Sequence, residues 1–446
     1  MRVDAIAKYF KFSERGTDLL TEARGGLTTF MVMVYIVFLN AAILGGGFKL
    51  DPAGMIAISA GTALIAGIMT IAMGVVANFP FALAAGLGIN AIVAFSLTGR
   101  GLSPAGAMGV IVLEGALVTL LVVVGLREAI MNAVPLALKR AIGAGIGLFI
   151  LFIGFSNGGF VVQGQGVPIT ISFPTTTPQF VFLFGLALTL VLWVRKIKAA
   201  LVISILVTTV VAVLVGVTKV GDISWAPSFT TLGAFDLGQV FSKLPIITAL
   251  LVVFAIMLTD FFDTMGTATG VAAEAGLANE DGTVPGIGRV LIVDSVAAIA
   301  GGLGGVSSNT TYIESAAGVA EGAKTGFASV VTGVLFLLAI FLAPLAGIIP
   351  AQATAPALVL VGYLMFTQVK DIKVADMEDG IPALLTMILM PLTYDITVGI
   401  GAGFISWVLI KLAKGKMSEI HPLMWVVAIA FLVFFGQGWL ETILPK

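Results

Sequence analysis

An all-α, polytopic membrane fold is predicted for this chain, with about fourteen transmembrane segments in two inverted repeats of seven. Three observations predict it. Of 446 residues, 59% are hydrophobic and 11% charged, whereas a soluble globular protein carries about 25% charged residues. Apolar runs of the ~20 residues needed to cross hydrocarbon recur from Gly25 to Leu440. The third run in each half is broken by Pro, Gly or polar residues. A mean hydropathy of +1.12 agrees.

Residues 1–24, "MRVDAIAKYFKFSERGTDLLTEAR", mix charges of both signs and lack a continuous apolar stretch. They read as an amphipathic segment on the cytoplasmic face, not as a cleaved signal. Spans then follow near 25–44, 54–77, 104–124, 139–160, 178–194 and 198–217, with the interrupted run 79–98 as the third of seven. The weakly hydrophobic stretch 218–245 is an extracytoplasmic connection. After it come 246–270, 287–304, the interrupted 307–322, 325–348 and 354–368. Residues 381–413 read as a hairpin broken at "MPLTYD", and 421–440 as a further span or a partly inserted helix.

Basic residues orient the set, because cytoplasmic loops are enriched in Lys and Arg. With the N-terminus inside, Arg127, Lys139, Arg140, Arg195, Lys196, Lys198, Lys370 and Lys373 also fall inside. The uncharged loop 161–177 falls outside. Seven segments per half is an odd number, so the second half runs upside down relative to the first. Paired broken helices at matching places in such repeats are the sequence mark of a secondary transporter's binding site.

The first break is "NFPFALAAGLGINAIVAF" (78–95); the second lies in "VSSNTTYIESAAGVAEG" (306–322), with a helix expected from about Ile313. Irregular backbone survives in a membrane only inside protein or against a cavity. Half-helices meeting there present N-terminal N–H groups and positive dipole ends to a polar ligand. Acids within spans are functional candidates by default. "LTDFFDTMGTATG" sets Asp260 and Asp263 at i,i+3 on one helix, with Thr267 one turn beyond Asp263. Glu314 falls in the first turn of the second half-helix and Asn90 early in the first. Asn90 fits a plain interhelical hydrogen bond as well as a ligand contact. Glu114, Asp294 and Asp395 read as packing or relay groups, and His421 as interfacial.

Composition closes several routes. There is no cysteine and one histidine, so no thiolate or His-cluster metal site and no metal or cofactor is expected. The net charge of −1 gives no electrostatic reason to expect nucleic acid.

These residues carry a resemblance. "ARGGLTTFMVMVYIVFLNAAIL" (23–44), "GLGINA" (86–91), "DFFDTMGT" (260–267), "TTYIESAAGVAEG" (310–322) and "MPLTYDITVGIGAG" (390–403) resemble the AzgA-type purine permeases of the nucleobase–ascorbate transporter superfamily, in the same order over nearly the whole chain. The resemblance implies a core domain (25–126 and 246–350) and a gate domain (127–217 and 351–446). It implies uptake of hypoxanthine, guanine or adenine with a proton across the cytoplasmic membrane, by a homodimer. It makes Asp263 similar to the acid that holds the base, Glu314 to the tenth-segment acid, and Asn90 to the third-segment asparagine needed for activity. Thr28 and Ile313, inside two of the motifs, are further candidate base contacts. Thr267 stands where the bacterial uracil permease has a histidine.

The chemistry is coherent without the family. A purine edge offers N–H donors, which acceptor-only carboxylates such as Asp263 and Glu314 suit. One acid of the group Asp260, Asp263 and Glu314 can carry a proton across with the base. Sodium coupling uses similar oxygens and is the nearest alternative. An intramembrane aspartyl protease needs two acids facing each other across a scissile bond, which Asp260 and Asp263 on one helix do not provide.

Overall fold

The computed structural model describes residues 2–126, 133–220, 225–279 and 283–443, with side chains placed between 4 and 436. Among the described residues, nine helices are long and apolar enough to cross a membrane, from Leu19–Phe48 to Ile396–Ala413. The first seven segments are Leu19–Phe48, Pro52–Ala77, the broken third, Pro104–Val123, Leu136–Asn157, Thr177–Val194 and Ala200–Leu214. The second seven are Ile246–Glu274, Ile287–Leu303, the broken tenth, Gly326–Gly347, Ala351–Asp371, Met377–Thr393 and Ile396–Ala413. The helix Pro422–Ile443 follows the second seven.

Starts of segments follow local chemistry. Asp18, Asp51 and Ser103 each accept hydrogen bonds from first-turn amides, and Pro52 and Pro104 open their helices. Asp395 caps Ile396–Ala413, and Tyr394 takes the left-handed turn before it (φ 58°).

Packing repeats with the halves exchanged. Segment 2 lies on segment 11, and segment 9 lies on segment 4. Segment 5 meets segment 12; segment 13 then leans on 5 as segment 6 leans on 12. These are the contacts an inverted repeat requires. The crossing of 5 and 12 is close because both contact residues are glycine. A Cβ on Gly147 would sit 2.6 Å from the Gly362 oxygen, and one on Gly362 2.5 Å from the Gly147 oxygen.

At the centre two short strands, Leu83–Ala85 and Asn309–Thr311, pair antiparallel with Ala84 opposite Thr310. Each satisfies the other's backbone, which is what lets extended chain persist at this depth. The Gly86 amide adds a bond to the Ser308 oxygen (2.9 Å), and Tyr312 N donates to Ala82 O (2.9 Å). All six strand residues are buried.

Candidate functional site

Segment 8 has two contrasting faces around the strand pair. Asp260, Thr264 and Thr267 are buried on one. Asp263, Gly266 and Gly270 lie on the other, and nothing comes within 4 Å of a Cβ built on either glycine. Asp263 therefore borders open space while lying close enough to Glu314 and Asp294 for their charges to act on it. The i,i+3 spacing that suggested a joint role separates the two aspartates: 60° around the helix takes Asp260 from the opening into packed protein. Thr267 is likewise on the buried face, in line with Asp260.

Glu314 stands just before the second half-helix, which runs Ser315–Ala320 and so begins two residues beyond the expected start at Ile313. The Tyr35 hydroxyl donates to its Oε1 at 2.7 Å. Tyr312, whose hydroxyl bonds the Ala85 oxygen, faces both Glu314 and Asp263. Ile313, one residue before Glu314, is 57% exposed and adjoins the opening. Across it, the Lys139 ammonium of segment 5 lies 5.7 Å from the centre of the Phe262 ring.

The strand behind these acids is braced by a third. Asp294 of segment 9 accepts from Thr311 N (2.9 Å), Thr311 Oγ1 (2.8 Å) and Thr264 Oγ1 (2.7 Å), and Thr264 also meets Thr310 Oγ1 at 2.7 Å. Asn40 of segment 1 reaches Val306 O (3.0 Å) and Thr62 Oγ1 (2.8 Å), fixing the approach to the strand.

The remaining candidates stand away from the opening. Asn90 is fully buried and its amide turns back to the Ala85 oxygen (3.4 Å). Thr28 is buried in segment 1, two turns before Tyr35. Asp395 pairs with Arg100, whose guanidinium also lies over the Phe434 ring at 5.3 Å. Tyr394 beside it meets the rings of Phe95, Phe149 and Phe152. An ion pair and an aromatic cluster thus tie together segments 3, 5 and 14 and the final helix. His421 is exposed and caps the final helix through Leu423 N. Among the described residues no group of three or more His, Cys, Asp or Glu is arranged to hold a metal.

Sequence reasoning passed over Tyr35 and Tyr312. The available signal was a hydroxyl in mid-span: the chain has only five tyrosines, and these two lie inside the motifs that surround the break.

A family model described as "Xan_ur_permease: Permease family" matches residues 21–402. The chain belongs to this permease family. Relatives align end to end. "Guanine/hypoxanthine permease PbuG" of Bacillus subtilis (strain 168) is 39% identical over 445 residues, covering 96% of this chain and 98% of that one. "Adenine permease AdeP" of Escherichia coli (strain K12) is 38% identical over 433 residues, covering 96% and 95%. Among solved structures, the transmembrane domain of the cyanobacterium bicarbonate transporter BicA matches with a TM-score of 0.63 at 14% identity, covering 86% of this chain and 96% of that one. The inward-facing murine anion transporter Slc26a9 matches at 0.64 and 13% identity, covering 89% and 69%. At such low identity these two speak for the fold alone: the permease is a multi-pass helical membrane protein with inverted repeats. It is a transporter and not an enzyme.

Proposed function

We propose that this permease imports a purine nucleobase (hypoxanthine, guanine or adenine) together with a proton, by alternating access. The observation that carries the reading is the pair Asp263 and Glu314 at one opening, with Glu314 held by Tyr35. Both acids only accept, so they suit the N–H groups along a purine edge. The names of the full-length relatives support the substrate class. A proton shared between the acids lowers the charge of the loaded site as it crosses.

The moving unit in this reading is 25–126 with 246–350, working against 127–217 with 351–446. The N-terminus is cytoplasmic, the membrane is the cytoplasmic (inner) one, and the protein is a homodimer. The Arg100–Asp395 pair and the rings around Tyr394 then close the outer end, while the Lys139 end opens inward. Asp260, Asn90, Thr267 and Thr28 act as supports of the site, because each is buried away from the opening.

Uptake of radiolabelled hypoxanthine, guanine and adenine into cells tests the reading. Asp263→Asn and Glu314→Gln are each expected to cut accumulation about 100-fold at unchanged membrane levels, the scale of ~3 kcal/mol for one lost charged contact. A protonophore at constant sodium should collapse accumulation. Wild-type rates in either variant overturn that residue's role, and protonophore-resistant, sodium-dependent uptake overturns proton coupling.

A further inference from the structure

Where the strand Asn309–Thr311 meets segments 4 and 9 lies a second polar cluster, outside the site assigned to the base. Its acid is Glu114 of segment 4. The residue is fully buried; the Ser308 hydroxyl is turned toward its carboxylate, but neither oxygen has a close hydrogen bond among the described residues. It faces Ser308 and Asp294. Ser307, Ser308 and Asn309 are also fully buried, and their hydroxyls and both ends of the Asn309 amide lack partners. Strand side chains alternate, so Asn309 points to the same side as Thr311, whose hydroxyl is on Asp294.

The backbone makes the cluster compact. Segment 9 ends at Leu303, and the chain turns back through Gly305 (φ 69°) and Ser307 (φ 73°), the latter a left-handed conformation that a serine rarely adopts. A Cβ on Gly301 would sit 1.9 Å from Ser307 O and 3.0 Å from Asn309 N, so the turn lies directly on the end of segment 9. Segment 4 closes the other side: a Cβ on Gly115 would come 2.6 Å from Ile299 N.

We propose that Glu114, Ser307, Ser308 and Asn309 bind a monovalent metal cation, sodium, between segments 4 and 9 and the turn before the central strand. The set is made of hard oxygens: a carboxylate, two hydroxyls and an amide oxygen. It adjoins the C-terminal, negative end of segment 9 and unwound backbone, the surroundings in which transporters coordinate sodium. Asp294 already accepts three hydrogen bonds, leaving Glu114 as the carboxylate whose oxygens are available to the ion. A proton on Glu114 would serve the acid and the Ser308 hydroxyl facing it, and leave Ser307 and the Asn309 amide as they are. This ion is separate from the proton carried with the base, and the inference does not rest on the substrate assigned above.

The test uses purified full-length protein in detergent without any nucleobase. Sodium chloride replaces choline chloride at constant ionic strength while thermal unfolding is followed, with potassium and calcium as controls. A saturable rise in Tm specific to sodium is expected, with the apparent sodium affinity at least tenfold weaker in Glu114→Gln and in Asn309→Ala. If Glu114→Gln fails to fold, Asn309→Ala and Ser308→Ala carry the test. The inference is overturned by a wild-type protein whose Tm ignores sodium, which would mean a neutral carboxyl or water at the cluster, by a calcium-specific rise in Tm, or by a sodium response undiminished in the variants.

Discussion

The two central strands are neighbours with opposite chemistry. Leu83–Ala85 carries only aliphatic side chains and is held through its main chain. Leu83 N and O both bond Thr70 Oγ1 (2.9 and 3.1 Å), and Ala85 O takes the Asn90 amide. Asn309–Thr311 is polar throughout, is clasped by Asp294 and Thr264, and leads straight into Glu314. The repeat has duplicated a backbone without duplicating its chemistry. One copy is held by its main chain and the other by its side chains, which is how a symmetric fold can present an asymmetric pair of acids beside only one of them.

The largest effect should come from loosening the polar strand that leads into Glu314. Asp294→Ala removes the acceptor of three hydrogen bonds and orphans the buried Thr311 amide, a cost of about 3 kcal/mol or more. Thermal unfolding should fall by several degrees and nucleobase binding should be lost, as read by thermal shift and radioligand binding on purified protein. Next is Tyr35→Phe, which leaves the fold intact and removes one bond to Glu314. At about 1–1.5 kcal/mol it should raise the uptake KM roughly tenfold with transport capacity nearly unchanged.

Asn90→Ala tests the bracing strand. It removes a single long bond to Ala85, so its effect on uptake should stay within about threefold, on the order of 0.5 kcal/mol. Loss of uptake as complete as in Glu314→Gln would break the comparison, because the bracing strand would then matter to the base as much as the acid does.

The smallest effect lies far from both strands. Glu321, after the second half-helix, pairs with Lys198 of the loop between segments 6 and 7 and with Arg24. The Lys198 ammonium, then Arg24, holds its carboxyl below the usual carboxylate range. A depressed folded-state pKa stabilises above the unfolded value of ~4.3 and is lost as pH falls through the lower folded one. The small Tm difference between wild type and Glu321→Gln should therefore be constant from pH 7 to 5 and shrink only below about pH 4.

Much of this arrangement was legible in the residues. A run such as "SSNTTYIES" inside an apolar chain has no use against lipid, so the tenth break and Glu314 stood out, and the matching third break gave the repeat. The open face of segment 8 was not legible. Helical spacing says that Asp260 and Asp263 are neighbours, but what packs on each depends on segments far away in the chain. Tyr35 was hidden for a related reason: in a membrane helix an aromatic side chain reads as packing until its hydroxyl is seen to meet an acid. Asp294 read as a packing or relay group, and its three bonds to segment 8 and the strand fit a bracing role.

The strand pair has a consequence for how the protein is made. Ala84 meets Thr310, so the third segment waits for more than two hundred residues of later synthesis before its backbone is satisfied. Closing so large a loop is slow and its entropy cost must be met before any contact compensates it. During translation the nascent first half must shelter Leu83–Ala85 in the insertion machinery or at the water interface, and a polypeptide truncated before residue 309 should be recognised as unfinished and degraded.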